Sequence, residues 1–340
     1  MADLAQVRQK FLPEIEAELR TVIGSSSQPL YAIMRYHMGW IDEQGHNQDE
    51  IKGKRLRSLL CLIACQTVGG DWRRALPAAA AVELVHNFSL IHDDIEDESS
   101  ERRGRGSVWS IWGKPQAINA GDSMYTLAKI ALLRLEDIGI SHREIVHASK
   151  LLNEACLKLC EGQYLDLLYE TRLNIGISDY LEMISNKTAT LFRCSLELGA
   201  LLGTEDLPLI ERLGNFGHAL GMAFQLQDDI LNIWGDSTGK PALSDVQLRK
   251  KTLPVVYALE NASDGDKERL KLVYRKENLT YADVEEVLTV LANIDAQSYA
   301  RDLAQKYYSE LFAELRTMPI TQPARDDLLA IATFAAERNF

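Results

Sequence analysis

The sequence predicts an all-α protein, a single domain of roughly ten or more helices. Apolar residues recur at three- and four-residue steps through nearly every long segment, as over 4–19 and 145–159. Asn-Gly turns and sustained alternation of polar and apolar residues, which would indicate strands, are missing. The breaks between segments are short and polar, and such connections favour antiparallel neighbours in one bundle. We therefore expect one domain over residues 1–340.

The predicted helices are separated at residues that end or disfavour helices, chiefly glycine, proline and serine. These breaks lie at Gly24–Pro29, Gly69–Trp72, Ser99–Gly106, Gly203–Pro208, Gly235–Pro241 and Met318–Gln322. None has the length or composition of a linker between domains, and no internal repeat is present.

Composition excludes several classes of protein. The 37 basic and 49 acidic residues give a net charge of −12, which argues against nonspecific nucleic-acid binding. An anionic substrate stays possible, because a few basic residues can be concentrated in a cleft. No apolar stretch approaches the ~18 residues of a membrane span, and the N-terminus has no signal-like apolar run, so we expect a cytoplasmic protein. The five cysteines include no C-x-x-C pair, and we expect them to be buried packing residues in a reducing compartment.

An acidic cluster follows the apolar run Ala78–Ile91, where His92–Asp97 reads H-D-D-I-E-D. On a helix, Asp93 and Asp97 lie one turn apart and share a face. The C-terminal end of a helix is already negative, so these carboxylates cost stability unless a cation offsets them. Clustered oxygen ligands suit Mg²⁺, which often shares the phosphates of a substrate.

A second acidic cluster, Gln225–Asp236, also follows an apolar helical run. Asp228 and Asp229 are adjacent, and Asn232 stands one turn after Asp228. One such cluster alone is more typical of a solvated helix end. Two clusters, each followed by basic residues, predict carboxylates that clamp Mg²⁺ ions around a diphosphate.

Basic residues alternate with the acidic clusters along the chain. They are Lys54 with Arg57, Arg102 with Arg103, Lys187 beside Thr188, and Lys240 with Lys250. Lys54 and Arg57 are expected to open a helix on one face, where the helix N-terminus also attracts anions. Arg102 and Arg103 occupy a glycine-bounded loop, from which they can contact two separate anions in a bidentate way. We expect Lys187 to lie in the middle of a helix.

Other catalytic motifs are missing from the sequence. It has no G-x-S-x-G elbow, no Walker-type phosphate loop, no H-E-x-x-H and no G-x-G-x-x-G. Of the scattered histidines, His92 is expected to be structural.

From Gly53 to Pro254 the chain resembles the trans-type isoprenyl diphosphate synthases, with matching motifs in the family's order. The matches are the segment from Glu83 to Asp97 with the first D-D-x-x-D motif, Arg102-Arg103-Gly104 after it, Gly162-Gln163 with Asp166, Lys187-Thr188, Phe224-Gln225 with Asp228-Asp229, and Lys240 and Lys250. Two departures stand out: Asn232 occurs where the family often has aspartate, and Ser58 where it usually has proline. Asn232 is therefore not firmly assigned as a metal ligand.

The resemblance implies an all-α bundle around a deep central cavity, usually in a homodimer, and the head-to-tail condensation of isopentenyl diphosphate with an allylic diphosphate. It implies three Mg²⁺ ions, held mainly by Asp93, Asp97 and Asp228, with Asp94 and Asp229 in supporting roles.

The resemblance also assigns the other site residues by group. The allylic diphosphate would be neutralised by Lys187, Lys240, Arg102 and Lys250. Isopentenyl diphosphate would bind, without metal, to Lys54, Arg57, His86 and Arg103. Thr188 and Gln225 would lie near the allylic cation.

In such an enzyme the growing prenyl chain extends into a cavity between the helices. The size of the side chains that line this cavity below the first acidic motif is expected to set the chain length of the product. Phe88, five residues before Asp93, is either an ordinary core aromatic or a floor that stops the growing chain. An aromatic here, with two residues between the aspartate pair and Asp97, resembles geranylgeranyl (C20) synthases more than bacterial farnesyl (C15) ones. C15 is the second choice. The rivals are a class I terpene cyclase, which needs no isopentenyl site, a non-catalytic subunit, which would lose an aspartate motif, and a helical scaffold.

Overall fold

The computed structural model describes residues 4–48, 53–235 and 243–336. The α-helices, numbered α1 to α16 in chain order, are Leu4–Ile23, Pro29–His37, Leu56–Thr67, Leu76–Glu96, Val108–Trp112, Lys114–Leu133, His142–Glu170, Ile177–Ile184, Thr190–Leu201, Leu207–Trp234, Ser244–Gln247, Leu253–Asn261, Asp264–Tyr274, Tyr281–Asn293, Ala296–Thr317 and Gln322–Ala336. Short 3₁₀ segments cover Trp72–Ala75 and Glu136–Ile138, and a π-helical segment covers Ser185–Ala189. The all-α class and the number of helices expected are confirmed, and each predicted break that lies within the described residues separates two helices.

One small hairpin lies within the predicted break at 99–106. Strand β1 (Glu101–Arg102) pairs antiparallel with β2 (Arg105–Gly106), and these are the only strands in the part of the chain that the structure describes. Arg103 and Gly104 form the two-residue turn, both with positive φ (54° and 68°). Such turns match the twist of a hairpin, and glycine adopts them at no steric cost.

The chain divides into two compact units. The first comprises residues 1–156, 193–214 and 318–331. Within it, α4 packs along α6 and against α3, and alanines at 78–81, each at most 1% exposed, let the neighbouring helices approach closely. The buried helix α4 ends at the first acidic cluster.

The second unit comprises residues 157–192, 215–317 and 332–340. Its core is formed largely by helices α12, α13 and α14, with buried valines, leucines and Tyr274 at their contacts. The second acidic cluster belongs to this unit. The interpretation of residues 1–340 as one functional domain stays a prediction.

The cysteines differ in exposure. Cys61, Cys65, Cys156 and Cys194 are buried, as expected of packing residues, and none of the five cysteines is in a disulfide. Cys160 is exposed, so the expectation of burial is wrong there: it lies on the outer side of α7. Among the described helices, none combines the length and apolar composition of a membrane span.

Candidate active site

The first acidic cluster lies at the C-terminal end of α4, as the sequence predicts. Asp93 and Asp94 are in the last turn, and Asp97 caps the helix by donating its backbone N–H to the Asp93 carbonyl at 2.9 Å. Asp93 and Asp97 are partly exposed, whereas Asp94 is buried. The cluster therefore contains two accessible carboxylates, those of Asp93 and Asp97, and one buried carboxylate, that of Asp94.

Arg102 binds this cluster through the buried aspartate. Its Nε lies 2.8 Å from both carboxylate oxygens of Asp94, and its Nη2 lies 2.6 Å from Oδ1. The same Nη2 lies 3.6 Å from Asp93 Oδ2. Asp94 thus holds the arginine beside the accessible carboxylates, where a phosphate could meet both cation and metal.

The hairpin that carries Arg102 and Arg103 is held in place by Arg105, a residue that no motif in the sequence singled out. The Arg105 guanidinium lies 3.9 Å from the centre of the Tyr36 ring, and Nη2 donates to the Ile41 carbonyl at 2.8 Å. In return, the Tyr36 hydroxyl donates to the Gly106 carbonyl at 2.8 Å. These contacts fix the hairpin to α2 and the segment after it.

Arg103 lies in a different environment from Arg102, as expected of adjacent arginines in a turn. Its Nη1 is 3.4 Å from the position that a Cβ on Gly53 would occupy. Burial and the charge of Arg55 lower the pKa of Arg103 to about 10, and Glu83 opposes this shift. An anion is the ligand that would relieve this concentration of positive charge.

The expectation that Lys54 and Arg57 share a helical face is wrong. Helix α3 begins at Leu56, so Lys54 precedes it, and Arg55 is its N-cap with a left-handed backbone (φ 51°). The left-handed residue breaks the helical spacing on which the prediction depended.

His86 lies on α4, within electrostatic range of Arg57 and Arg103. Burial, followed by the charges of Arg57 and Arg103, lowers the pKa of His86 well below its usual value. The imidazole is therefore neutral at pH 7 and can both donate and accept hydrogen bonds. The four residues assigned to isopentenyl diphosphate all belong to the first unit.

In the second unit, Asp229 of α10 is buried, and both of its carboxylate oxygens accept hydrogen bonds. It accepts hydrogen bonds from the Tyr180 hydroxyl at 2.5 Å, the Leu253 backbone N–H at 2.8 Å and Gln225 Nε2 at 3.1 Å. Burial raises the pKa of Asp229 to about 7, although these hydrogen bonds act in the opposite direction. Its neighbour Asp228 is partly exposed. As in the first cluster, a buried carboxylate stands beside an accessible one.

Asn232 has a structural contact that the sequence did not indicate. Its side-chain Oδ1 accepts a hydrogen bond from the backbone N–H of Asp245 at 3.2 Å, and the residue is buried. This contact joins the end of α10 to α11.

Lys187 and Thr188 lie in the middle of a helical stretch, as predicted, but both belong to the π-helical segment and not to a regular α-helix. Single π turns of this kind frequently occur at functional sites. Lys187 Nζ donates to Asp166 Oδ2 at 2.6 Å, and Thr188 Oγ1 donates to Gln225 Oε1 at 2.9 Å. The structure thus brings the G-Q-x-x-D helix, the Lys-Thr pair and α10 together.

Lys250 joins the same group. Its Nζ lies 3.4 Å from Asp166 Oδ2 and 2.7 Å from Glu170 Oε1. Asp166 therefore lies between two lysines that were assigned to one diphosphate. Lys240 and Asp236 lie outside the described residues.

Gly162 allows α7 to contact the π-helical segment. A Cβ at this position would lie 2.1 Å from the Lys187 backbone nitrogen and 2.7 Å from the Asn186 carbonyl carbon. Only glycine fits so close to another backbone. The sequence showed this glycine in the middle of a helix, but only the packing gives the reason.

No group of three or more His, Cys, Asp or Glu side chains is preassembled to hold a metal within the described ranges. Mg²⁺ does not need one, because it usually binds through one or two carboxylates, water and substrate phosphates. The accessible carboxylates of Asp93, Asp97 and Asp228 fit this chemistry.

Residues 39–291 match the model of the polyprenyl synthetase family. A geranylgeranyl diphosphate synthase of Mycobacterium tuberculosis is 41% identical over 323 residues, 94% of this chain and 90% of that protein. A (2E,6E)-farnesyl diphosphate synthase of Mycobacterium bovis is 39% identical over 253 residues, 74% and 69% of the two chains.

Solved structures resemble this chain over nearly its whole length. The geranylgeranyl pyrophosphate synthetase of Pyrococcus horikoshii is 35% identical, with a TM-score of 0.88 over 98% of each chain. The polyprenyl synthetase of Streptomyces coelicolor is 34% identical, with a TM-score of 0.89 over 98% of this chain and 99% of that one. By both sequence and fold, the chain belongs to the polyprenyl synthetase family and is a trans-prenyltransferase.

Proposed function

We propose that this enzyme condenses isopentenyl diphosphate head-to-tail with allylic diphosphates, in the presence of Mg²⁺, and releases mainly geranylgeranyl diphosphate. The observation that carries the proposal is the shared design of the two acidic clusters. In each, one aspartate is buried and held by the protein (Asp94 by Arg102, Asp229 by Tyr180), and its neighbour is accessible. The held carboxylates fix the ends of their helices, so the accessible ones are preorganised for metal-bound diphosphate.

Asp93, Asp97 and Asp228 would hold the Mg²⁺ ions, three in the site as a whole, and Asp94 and Asp229 would support them. When bound, the metal neutralises negative charge that develops on the allylic diphosphate as its C–O bond ionises. Arg102, Lys187 and Lys250 would contact the same diphosphate, together with Lys240.

The protein residues also determine where the allylic cation forms. Lys187 is held by Asp166 at 2.6 Å, so its ammonium group is oriented before substrate arrives. Fixed charges of this kind stabilise the ionised state without reorganising during the reaction. The Thr188–Gln225 pair supplies oxygen atoms beside the same segment, where they can face the cation.

Isopentenyl diphosphate would bind to Lys54, Arg57, His86 and Arg103 without metal. Burial, together with the charges of neighbouring arginines, lowers the pKa values of His86 and Arg103. Binding of a diphosphate would offset that charge. These residues argue against the alternative of a terpene cyclase, which has no second substrate to bind.

The C20 product is supported by the relative named geranylgeranyl diphosphate synthase and by the position of Phe88. Farnesyl diphosphate is the alternative, since other relatives carry that name. One domain over residues 1–340, a homodimer and a cytoplasmic location stay predictions that accompany this proposal.

The proposed function is tested by a product assay. Labelled isopentenyl diphosphate is incubated with Mg²⁺ and C5, C10 or C15 allylic diphosphates in turn, with one control lacking isopentenyl diphosphate and another containing a chelator. We expect extension to C20 with every primer and none with the chelator. Products that stop at C15 would establish the farnesyl alternative. A cyclic hydrocarbon or free alcohol in the first control, without elongation, would establish the cyclase instead.

Replacing Phe88 with alanine should lengthen the product beyond that of the wild-type enzyme. Phe88 is 8% exposed on α4, and its ring packs 5.1 Å from the Tyr125 ring, centre to centre. Removing the ring would leave space beside α4, five residues before Asp93, into which a longer prenyl chain could extend. The chain length of the product is measured by mass spectrometry.

The matched control is Leu198→Ala, since Leu198 is fully buried in the same unit but on α9. Each change should cost about 2–5 kcal/mol of stability, but only Phe88→Ala should alter chain length. An identical product distribution for Phe88→Ala and the wild type would show that the floor lies elsewhere.

A further inference from the structure

A buried charge cluster lies beside the residues proposed for isopentenyl diphosphate. Its centre is Arg55, which is 2% exposed. Arg55 Nε donates to Glu16 Oε1 at 2.8 Å, Nη1 donates to Glu83 Oε1 at 3.3 Å, and Nη2 donates to the Met38 carbonyl at 3.1 Å. The planar guanidinium therefore joins α1, α4 and the segment after α2. We call Glu16, Arg55 and Glu83 the Arg55 cluster.

The two glutamates of the Arg55 cluster are held by further hydrogen bonds. Trp40 Nε1 donates to Glu16 at 2.7 Å. Asn87 Nδ2 donates to Glu83 Oε1 at 3.1 Å, and Ser58 Oγ, which donates to the Ala79 carbonyl at 2.9 Å, also lies 3.2 Å from Glu83 Oε2. A buried polar network with this many partners favours one geometry strongly, because each lost bond leaves a buried group unpaired.

The backbone of Arg55 determines how the chain enters α3. Its φ of 51° is left-handed, a conformation that is unfavourable for a residue with a Cβ. It persists where the surrounding structure holds it, and here the three side-chain contacts do so. Lys54 precedes this residue and Arg57 follows it by two, so the turn sets the direction of both.

The other two residues of the proposed isopentenyl site also border the Arg55 cluster. His86 is one turn after Glu83 on α4. Arg103 Nη1 and Arg55 Nη1 lie 3.4 and 3.5 Å from the same point, the position of a Cβ on Gly53. Within the cluster, the charge of Arg55 lowers the pKa of Arg103 and the charge of Glu83 raises it.

We propose that Arg55 is a positioning residue for isopentenyl diphosphate: its buried bonds to Glu16, Glu83 and the Met38 carbonyl hold the left-handed turn that orients Lys54 and Arg57. Because its side chain is enclosed, Arg55 acts through its neighbours and not by contact with substrate. The inference rests on the proposed function, since it takes the isopentenyl site as assigned above.

The test is Arg55→Lys, which keeps the charge but replaces the three donor nitrogens of the planar guanidinium with a single ammonium nitrogen. We expect the KM for isopentenyl diphosphate to rise about tenfold, because small displacements of binding groups have effects of this size or larger. The KM for the allylic substrate and kcat should stay within about twofold of the wild-type values. Steady-state kinetics with each substrate varied in turn measures all three.

A matched control separates positioning from loss of stability. Glu197 is a buried acid of the same unit, paired with Arg193 at 2.8 Å, on α9. Glu197→Gln should lower the melting temperature and leave both KM values unchanged. Ser58→Ala, which removes the hydroxyl shared between the Ala79 carbonyl (2.9 Å) and Glu83 Oε2 (3.2 Å), provides a milder variant, with an expected rise of about threefold in the KM for isopentenyl diphosphate alone.

The outcomes distinguish the two proposals. If the wild type elongates prenyl chains and the Arg55 and Ser58 variants keep its KM for isopentenyl diphosphate, the positioning role is overturned and the proposed function stands. Equal rises in the two KM values would also overturn it, because they would show a general loss of structure. A wild-type enzyme that does not elongate overturns the proposed function, and this inference with it.

Discussion

Asp93→Asn should lower the rate of prenyl transfer by roughly three orders of magnitude, because a neutral amide replaces a carboxylate proposed to hold Mg²⁺. Asp93 is partly exposed at the end of α4, and Arg102 Nη2 lies 3.6 Å from it. Its loss would weaken metal binding and leave the developing charge on the diphosphate less well neutralised. Single-turnover rates at saturating Mg²⁺ measure the effect.

The control for this experiment is Glu98→Gln. Glu98 is an acidic residue just beyond the same helix end, but its exposed side chain pairs with Lys114 at 2.8 Å. The Glu98→Gln variant should keep nearly the wild-type rate and the wild-type dependence on Mg²⁺ concentration. A rate for Asp93→Asn close to that of Glu98→Gln would exclude Asp93 as a principal ligand.

Gly162→Ala should lower both stability and turnover, the latter by about a hundredfold. The added methyl group would meet the backbone at Lys187 and Asn186, which cannot move without displacing the π-helical segment. Overpacking of this kind costs typically 1–3 kcal/mol. Displacement of the segment would move the Lys187 ammonium group away from Asp166.

The Gly162 variant is compared with Cys160→Ala, two residues earlier on α7, where the side chain is exposed. That change should leave the denaturation midpoint and turnover unchanged. If Gly162→Ala lowered stability but kept the wild-type turnover, the proposed role of the π-helical segment in catalysis would be wrong.

Local patterns in the sequence predicted the helical class and several of the breaks between helices, but not the further helix boundaries within residues 107–202 and 243–317. The break at Gly203–Pro208, for example, needs only residues that disfavour helix, and the structure ends α9 at Leu201 and begins α10 at Leu207. The end of α4 at the first acidic cluster was predicted for the same reason. The Lys54–Arg57 prediction failed because it assumed helical spacing through Arg55, whose backbone is left-handed and whose side chain binds Glu16 and Glu83, far away in sequence.

Some site residues left a partial signal. Glu83 interrupts the apolar run of α4, and a charge on the buried face of a helix indicates a buried partner. The partner, Arg55, looked like one more cation in a basic motif. Arg105 and Tyr180 had no distinguishing pattern, because their contacts with Ile41 and Asp229 join segments far apart in the chain.

The sequence by itself determined the helical class, the order of the acidic and basic motifs, and the family. These depend on residue types and on spacing along the chain, which are local properties. Only the tertiary structure decided which aspartate of each pair is buried, why Gly162 must be glycine, and what holds Arg55 in place. Burial, close backbone approach and the pairing of charges depend on which distant segments meet, and no spacing along one segment specifies that.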